Sequence, residues 1–417
     1  MRLVPACLGC ALALFAPLFA QEKKLASDEQ SELSEAIAEA GNSPIEFVRA
    51  LERHLQKYPK TPQRDELERA LVKSAIEARD TARILKYGEL VLAKNMENPQ
   101  ILERVAGILA TREDRESNER ALKYALKFEQ ILAALDKEGV AKGQMLEELD
   151  RAIGRALVLE ARAKGNLGDL PEAVALARKS YERHPNAESA REVARWFAKS
   201  GKPVEAVSYY AEAFAMEDPK NSEADRLKDR RRLGELYSKM KGSEAGLGDL
   251  ILEAYDRTTA LSAKRLEILR ARDPNSDQSD PMQYTITGLK GEKLALSSLK
   301  GKVVVMDFWA TWCGPCRAQH PIYEQLKKDF ASIPDVVFLA IATDDDRSLV
   351  KPFLEEQKWS QNVYFEDGLA GLLKVSSIPT TIIVNKSGRI SSRLNGFLPD
   401  RFREMMTDRI KEALGDR

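Results

Sequence analysis

Cysteine is scarce in this chain: four in 417 residues, at Cys7, Cys10, Cys313 and Cys316. Histidine is scarcer, with only His54, His184 and His320. Neither sign of charge is in excess, since Lys plus Arg and Asp plus Glu each total 65. That balance argues against a surface built for nucleic acid or an anionic membrane. A structural zinc site needs about four ligands, which Cys313, Cys316 and three scattered histidines do not supply once Cys7 and Cys10 are removed with the N-terminal signal described next. Covalent haem attachment needs histidine directly after the second cysteine of its motif, and Arg317 stands there. The Gly-rich stretch "EAGLGDL" follows no strand and lacks a Lys-Ser/Thr ending, so it is not a phosphate loop.

Two of the four cysteines lie in "MRLVPACLGCALALFAPLFAQEKK", with one basic residue at Arg2, an apolar run from Leu8 to Phe19, and Ala20 before a charged continuation. This is the layout of a secretory signal peptide over residues 1–20. Its apolar run is shorter than the roughly 20 residues a membrane-crossing helix needs. Lipid attachment at Cys10 is disfavoured because too little apolar sequence precedes it. The chain is therefore expected to be exported, to a periplasmic or other extracytoplasmic space, keeping only Cys313 and Cys316.

Exported proteins normally use cysteines to staple distant segments. A bridge between Cys313 and Cys316 closes too small a loop to brace a fold, but it can open and close. Two inert buried thiols fit poorly with Pro315 and the surrounding pattern. "KGKVVVMDFWA" reads as a buried central strand. In "CRAQHPIYEQLKKDF", Ile322, Leu326 and Phe330 recur at helical spacing. Cys313 is thus expected at a strand-to-helix turn, as an exposed nucleophile favoured as thiolate by the helix N-terminus. Gly314 and Pro315 begin the helix, Cys316 is the resolving thiol one turn deeper, and Pro321 bends the helix without ending it. His320 is expected on the surface.

The segment from Pro281 to Arg417 resembles the thioredoxin-like redoxins of the TlpA/ResA type. The resemblance rests on "LKGKVVVMDFWATWCGPCRAQHP", with Trp309 and Trp312, and on "LLKVSSIPTTIIVNKSGRI". It implies an α/β thioredoxin fold with a mixed sheet, a cis bond before Pro379, and a substrate backbone pairing beside it. It also implies protein dithiol or disulfide substrates, no cofactor beyond the Cys313–Cys316 disulfide, and recharging by a membrane electron donor of the CcdA/DsbD kind. Asp307 takes the place of thioredoxin's buried acid, which passes a proton to or from the deeper cysteine. ResA-type proteins use a glutamate where this chain has Gln319, which cannot carry a proton. Gly-Pro between the cysteines is the thioredoxin choice and points toward a reductant. Peroxiredoxins share the fold but place Thr or Ser three residues before the nucleophile and Pro seven before, where this chain has Ala310 and Met306. A repeat-based binding protein with an inactive redox pair is the remaining alternative. The acidic run in "ATDDDRSLV" reads as a strand end followed by a helix cap, because adjacent carboxylates point different ways.

Residues 27–272 are rich in Ala, Leu, Glu, Lys and Arg with apolar positions at helical spacing. Gly168 aligns with Gly201, Ala173 with Ala206 and Pro185 with Pro219, close to the tetratricopeptide period. An all-α, tetratricopeptide-like solenoid follows, able to dock other proteins or to act as a spacer. "RDPNSDQSDP" is polar and turn-forming, so residues 273–280 read as a linker to a thioredoxin-like domain over 281–417.

Overall fold

The structure, a computed structural model, describes residues 27–139 and 141–415. The expected signal peptide, with Cys7 and Cys10, lies outside the described residues. Two compact units divide the chain: one holds residues up to 137 together with 150–262, the other 138–149 together with 263–417.

Among the described residues before residue 273 there are twelve helices. They are α1 (Ser27–Ala40), α2 (Pro44–Lys57), α3 (Arg64–Glu77), α4 (Thr81–Lys94), α5 (Pro99–Leu109) and α6 (Arg115–Glu138). Then come α7 (Gln144–Asn166), α8 (Leu170–Arg183), α9 (Ala187–Lys199), α10 (Pro203–Ala215), α11 (Glu223–Lys241) and α12 (Leu247–Arg272). Side chains that accept from the first helical turn set several starts: Ser43, Asp80, Asn98, Asp169 and Ser222, and Asn186 in a capping box with Ser189.

The aligned glycines explain the repeat. Gly168 and Gly201 adopt φ of +97° and +72°, and the next amides, of Asp169 and Lys202, reach back to Lys164 O and Phe197 O. Each pair is a left-handed helix stop that turns the chain into the following helix. Ala173 and Ala206, at equivalent places in those helices, are fully buried. Helices α1 to α5 and α8 to α11 each pack on their sequence neighbours, the second run around small residues, a repeat-like arrangement. Trp196 of α9 is fully buried, and Gly165 of α7 leaves room for its ring: a Cβ there would lie 2.2 Å from the indole.

The second unit is built on a seven-stranded mixed sheet. Its strands are β1 (Thr285–Gly288), β2 (Lys293–Ala295), β3 (Val303–Trp309), β4 (Val336–Ala342), β5 (Val363–Phe365), β6 (Thr380–Val384) and β7 (Ile390–Asn395), in the order β2-β1-β5-β4-β3-β6-β7. The β3–β4 and β4–β5 pairs are parallel and the rest antiparallel. The crossovers run through α13 (Gly314–Asp329) and α14 (Val350–Gln357); α15 (Leu369–Leu372) and α16 (Phe402–Gly415) complete the unit. Every residue of β3 is buried, as expected of a central strand. Alternation divides them between two cores: Val304, Met306 and Phe308 face Tyr284 and Leu369, while Val303 and Val305 face α13 and α16. The same period turns Asp307 toward α13.

Residues 273–280, read as a linker, are hydrogen-bonded into this unit. Asp273, Asn275 and Ser276 are buried. Asn275 accepts from Thr285 N and donates to Thr285 O, both at 2.8 Å, and the Asp273 carboxylate accepts from Gly143 N at 2.7 Å. The polarity that resembled solvated turn chemistry instead satisfies buried backbone groups.

Candidate functional site

The site lies where β3 gives way to α13. Backbone and side-chain bonds tie the intervening loop to the end of β4: Thr343 N donates to Trp309 O at 2.8 Å, and Thr311 N and Oγ1 both donate to the Asp344 carboxylate. Asp346 instead accepts from Ser348 N and caps the short turn that follows. Asp344 and Asp346 therefore serve different partners, and Asp345 between them is exposed.

Cys313 is the N-cap of α13, and its sulfur accepts from Cys316 N at 3.2 Å. Gly314 and Pro315 form the first helical turn, and the helix continues through Pro321 to Asp329. Cys313 and Cys316 are joined in a disulfide, with Cα atoms 5.3 Å apart. Contrary to the expected exposed nucleophile, Cys313 is only 3% accessible. Tied back to Cys316, it packs in a cluster with Trp309, Phe365 and Ile378. Trp312 is exposed, at 69%, as are Gly314 and Pro315 between the cysteines.

Beneath the helix, Asp307 Oδ1 accepts from Gln319 Nε2 at 2.8 Å and from Thr381 Oγ1 at 2.9 Å. Burial pushes its carboxyl up to about 7, against the opposing pull of those two donors. Asp307 and Cys316 line the same small cavity, about 20 Å³ in volume. A carboxyl near neutrality beside the deeper cysteine can exchange a proton with it.

The Ile378–Pro379 peptide bond is cis. Pro379 is buried at the start of β6, and its carbonyl accepts from Gly396 N at 2.7 Å. His320 departs from the expected surface position. Its ring lies flat on Trp359, centroids 3.5 Å apart and planes 8° from parallel, and burial pushes its imidazole down to about 4.

Four contributors were not singled out from the sequence for these roles. Thr381 faces Asp307 because the β3–β6 register pairs them, and its place in "PTT" is the only local hint. Gln319 falls three residues after Cys316, on the same helix face, so its spacing was readable although its hydrogen bond was not. Asp344 and Trp359 carry no sequence signal that links them to the cysteines.

A strand, a turn carrying Cys-Gly-Pro-Cys, a crossover helix and a cis-proline opposite define a thioredoxin-like domain. Residues 277–408 match the Redoxin family, so the chain carries a redoxin domain at its C-terminus behind a helical region. It is similar to the thiol-disulfide oxidoreductase ResA of Bacillus cereus (strain ZK / E33L), 30% identical over 115 residues that cover 27% of this chain and 66% of that protein. It is also similar to the thioredoxin-like protein YneN of Bacillus subtilis (strain 168), 33% identical over 109 residues, 26% of this chain and 64% of that one. The chain thus spans a little under two thirds of these relatives. Among solved structures, a putative thiol:disulfide interchange protein DsbE from Chlorobium tepidum is 28% identical, with 33% of this chain and 99% of that one covered and a TM-score of 0.30. Among the described residues, no helix is long and apolar enough to cross a membrane.

Proposed function

We propose that this protein is an exported thiol–disulfide oxidoreductase that exchanges dithiol for disulfide with protein partners and works as a reductant. The observation that carries this reading is the Cys313–Cys316 disulfide at the N-terminus of α13, with Asp307 bordering the same cavity as Cys316.

In the reduced protein, Cys313 is the nucleophile. The free amides and positive dipole end of α13 favour its thiolate, which attacks a partner disulfide to form a mixed disulfide. Asp307, as carboxylate, takes the proton of Cys316. The Cys316 thiolate then attacks Cys313 Sγ, releases the reduced partner and leaves the internal disulfide. Trp312, exposed beside the cysteines, and the cis-Pro379 segment offer the partner chain its contact surface. Return to the dithiol needs an electron source in an oxidising compartment, and a membrane donor of the CcdA/DsbD kind fits that need. The helical unit serves as a docking module for protein partners.

The test is a Cys316→Ser variant expressed in the native host. Mixed disulfides through Cys313 should accumulate, and a Cys313→Ser variant should yield none. A reduction potential near that of thioredoxin, about −270 mV, supports the reductant direction, and one near −120 mV reverses it. Failure of the trapping variant to hold any protein overturns the reading.

A further inference from the structure

The chain reaches cis-Pro379 through a loop, residues 373–378, that is tied to β7 at its start, its middle and its end. β7 is an outer strand of the sheet, paired to β6 with Asn395 opposite Thr380 and Arg393 opposite Ile382. Opposed residues and residues two apart share a face, so Arg393 and Asn395 stand on the side where Ile382 packs with Leu373, the C-cap of α15. The Arg393 guanidinium donates from Nη2 to Leu373 O and from Nη1 to Lys374 O, the second at 3.3 Å. Farther along, Thr380 Oγ1 donates to Ser377 O at 2.7 Å and lies 3.2 Å from Asn395 Oδ1. Beyond the cis bond, Gly396 N donates to Pro379 O at 2.7 Å.

The start of the loop is the part that most needs holding. α15 has four residues, and it closes with Lys374 N donating to Gly371 O and Val375 N to Ala370 O. That closure sets Lys374 at φ +53°, a left-handed conformation that glycine takes freely and lysine does not. The carbonyls of Leu373 and Lys374 fall beyond the last helical bond, and Arg393 supplies their donors. A planar, charged fork suits two adjacent carbonyls. Past this point Ser376 and Ser377 are exposed, while Ile378 packs against the cluster that holds Cys313 and Cys316.

We propose that Arg393 is a positioning residue for thiol–disulfide exchange: from β7 it latches the loop before cis-Pro379 in the conformation that receives the backbone of a partner protein. The inference deepens the proposed function and rests on it for the partner being a protein chain. Pairing with an extended segment draws affinity from main-chain hydrogen bonds, and more of it is realised when the receiving backbone is already in place. A loop released at Lys374 has to be ordered by the partner, so binding weakens. The Arg393 bonds go to loop carbonyls and not to either sulfur or to Asp307. The latch therefore acts on partner binding, and a small dithiol that pairs with no backbone does not sense it.

The experiment uses the full chain, with insulin as the protein disulfide and saturating dithiothreitol as the small dithiol. Arg393→Ala should raise KM for insulin by about three- to tenfold, the scale of lost preorganisation, with kcat little changed. Dithiothreitol should reduce its Cys313–Cys316 disulfide at the wild-type rate. Arg393→Lys keeps the charge without the planar fork and should recover part of the loss. Hydrogen exchange at the amides of Val375, Ser376, Ser377 and Ile378 should quicken in Arg393→Ala while that of β3 stays slow. An unchanged KM, or a loss that appears equally with dithiothreitol, overturns the proposal. If the wild type never reduces insulin, the functional reading falls on its own account. Hydrogen exchange then decides the latch: faster loop exchange in Arg393→Ala upholds it, and unchanged exchange overturns it.

Discussion

Gln319 Nε2 donates to Asp307 Oδ1 over 2.8 Å, so a neutral amide on α13 holds the buried carboxyl beneath the disulfide. Unlike an ammonium, an amide does not force ionisation, and unlike a second acid it adds no competing titration. It therefore leaves Asp307 near neutrality, where a proton carrier is most useful. Replacing Gln319 with Leu removes a donor that favours the carboxylate. A hydrogen bond to a charged group is worth about 1.5–3 kcal/mol, so the Asp307 titration should move up by about one unit or more. The carboxyl stretch in infrared difference spectra reads this directly, and a titration that stays in place removes Gln319 from the account.

The raised carboxyl also makes Asp307 a stability liability with a definite sign. Its folded value, about 7, lies above its ordinary 3.8, so the folded state holds a proton that the unfolded chain has lost. Stability is therefore unaffected below about pH 4, falls as pH rises toward 7, and is lowest above it. Asp307→Asn keeps the acceptor for Gln319 and Thr381 and removes the charge. It should stabilise the protein at alkaline pH, by about 4 kcal/mol at most, with the gain vanishing near pH 4. Denaturant unfolding at both ends of that range checks it. The same variant should reduce turnover.

His320 carries the opposite sign. Its folded value is depressed from 6.5 to about 4, chiefly by burial, so the unfolded chain binds the extra proton first. Stability should fall as pH drops between those two values, modestly because the ring is half-exposed. His320→Phe preserves a flat ring against Trp359 and should remove that acid-side loss. Melting temperatures of the two proteins should converge at neutral pH and separate in mild acid.

Asp344 accepts three hydrogen bonds from Thr311 and is 8% accessible. Asp344→Ala orphans the Thr311 amide and frees the loop before Cys313. A cost of about 2–3 kcal/mol is expected, with partial recovery in Asp344→Asn. Dithiothreitol should also reduce the Asp344→Ala disulfide at a changed rate, and an unchanged rate would confine Asp344 to a purely structural role.

In the helical unit, Gly165→Ala places a methyl group where the Trp196 ring already sits. Overpacking of this kind costs about 1–3 kcal/mol. The double variant with Trp196→Phe should recover much of the loss, because the smaller ring vacates that space. Thermal unfolding of the single and double variants provides the comparison.

Local chemistry determined a good deal of this protein. An unbroken apolar run made β3, Gly-Pro between two cysteines opened α13, and recurring glycines stopped successive helices. Each depends on neighbours within a turn or two, where backbone dihedrals and side-chain period are enforced by covalent geometry. Tertiary structure alone decided that Asp307 receives Gln319 and Thr381, that Asp344 returns to Thr311, and that Cys313 is covered. It also laid His320 on Trp359 and drew Asp273, Asn275 and Ser276 into a buried network. Those outcomes depend on strand register and on which surfaces meet across the sheet, and burial then sets the charge states. Neither distance nor desolvation is encoded at a single position, so the sequence named the candidate groups and the fold set their environment.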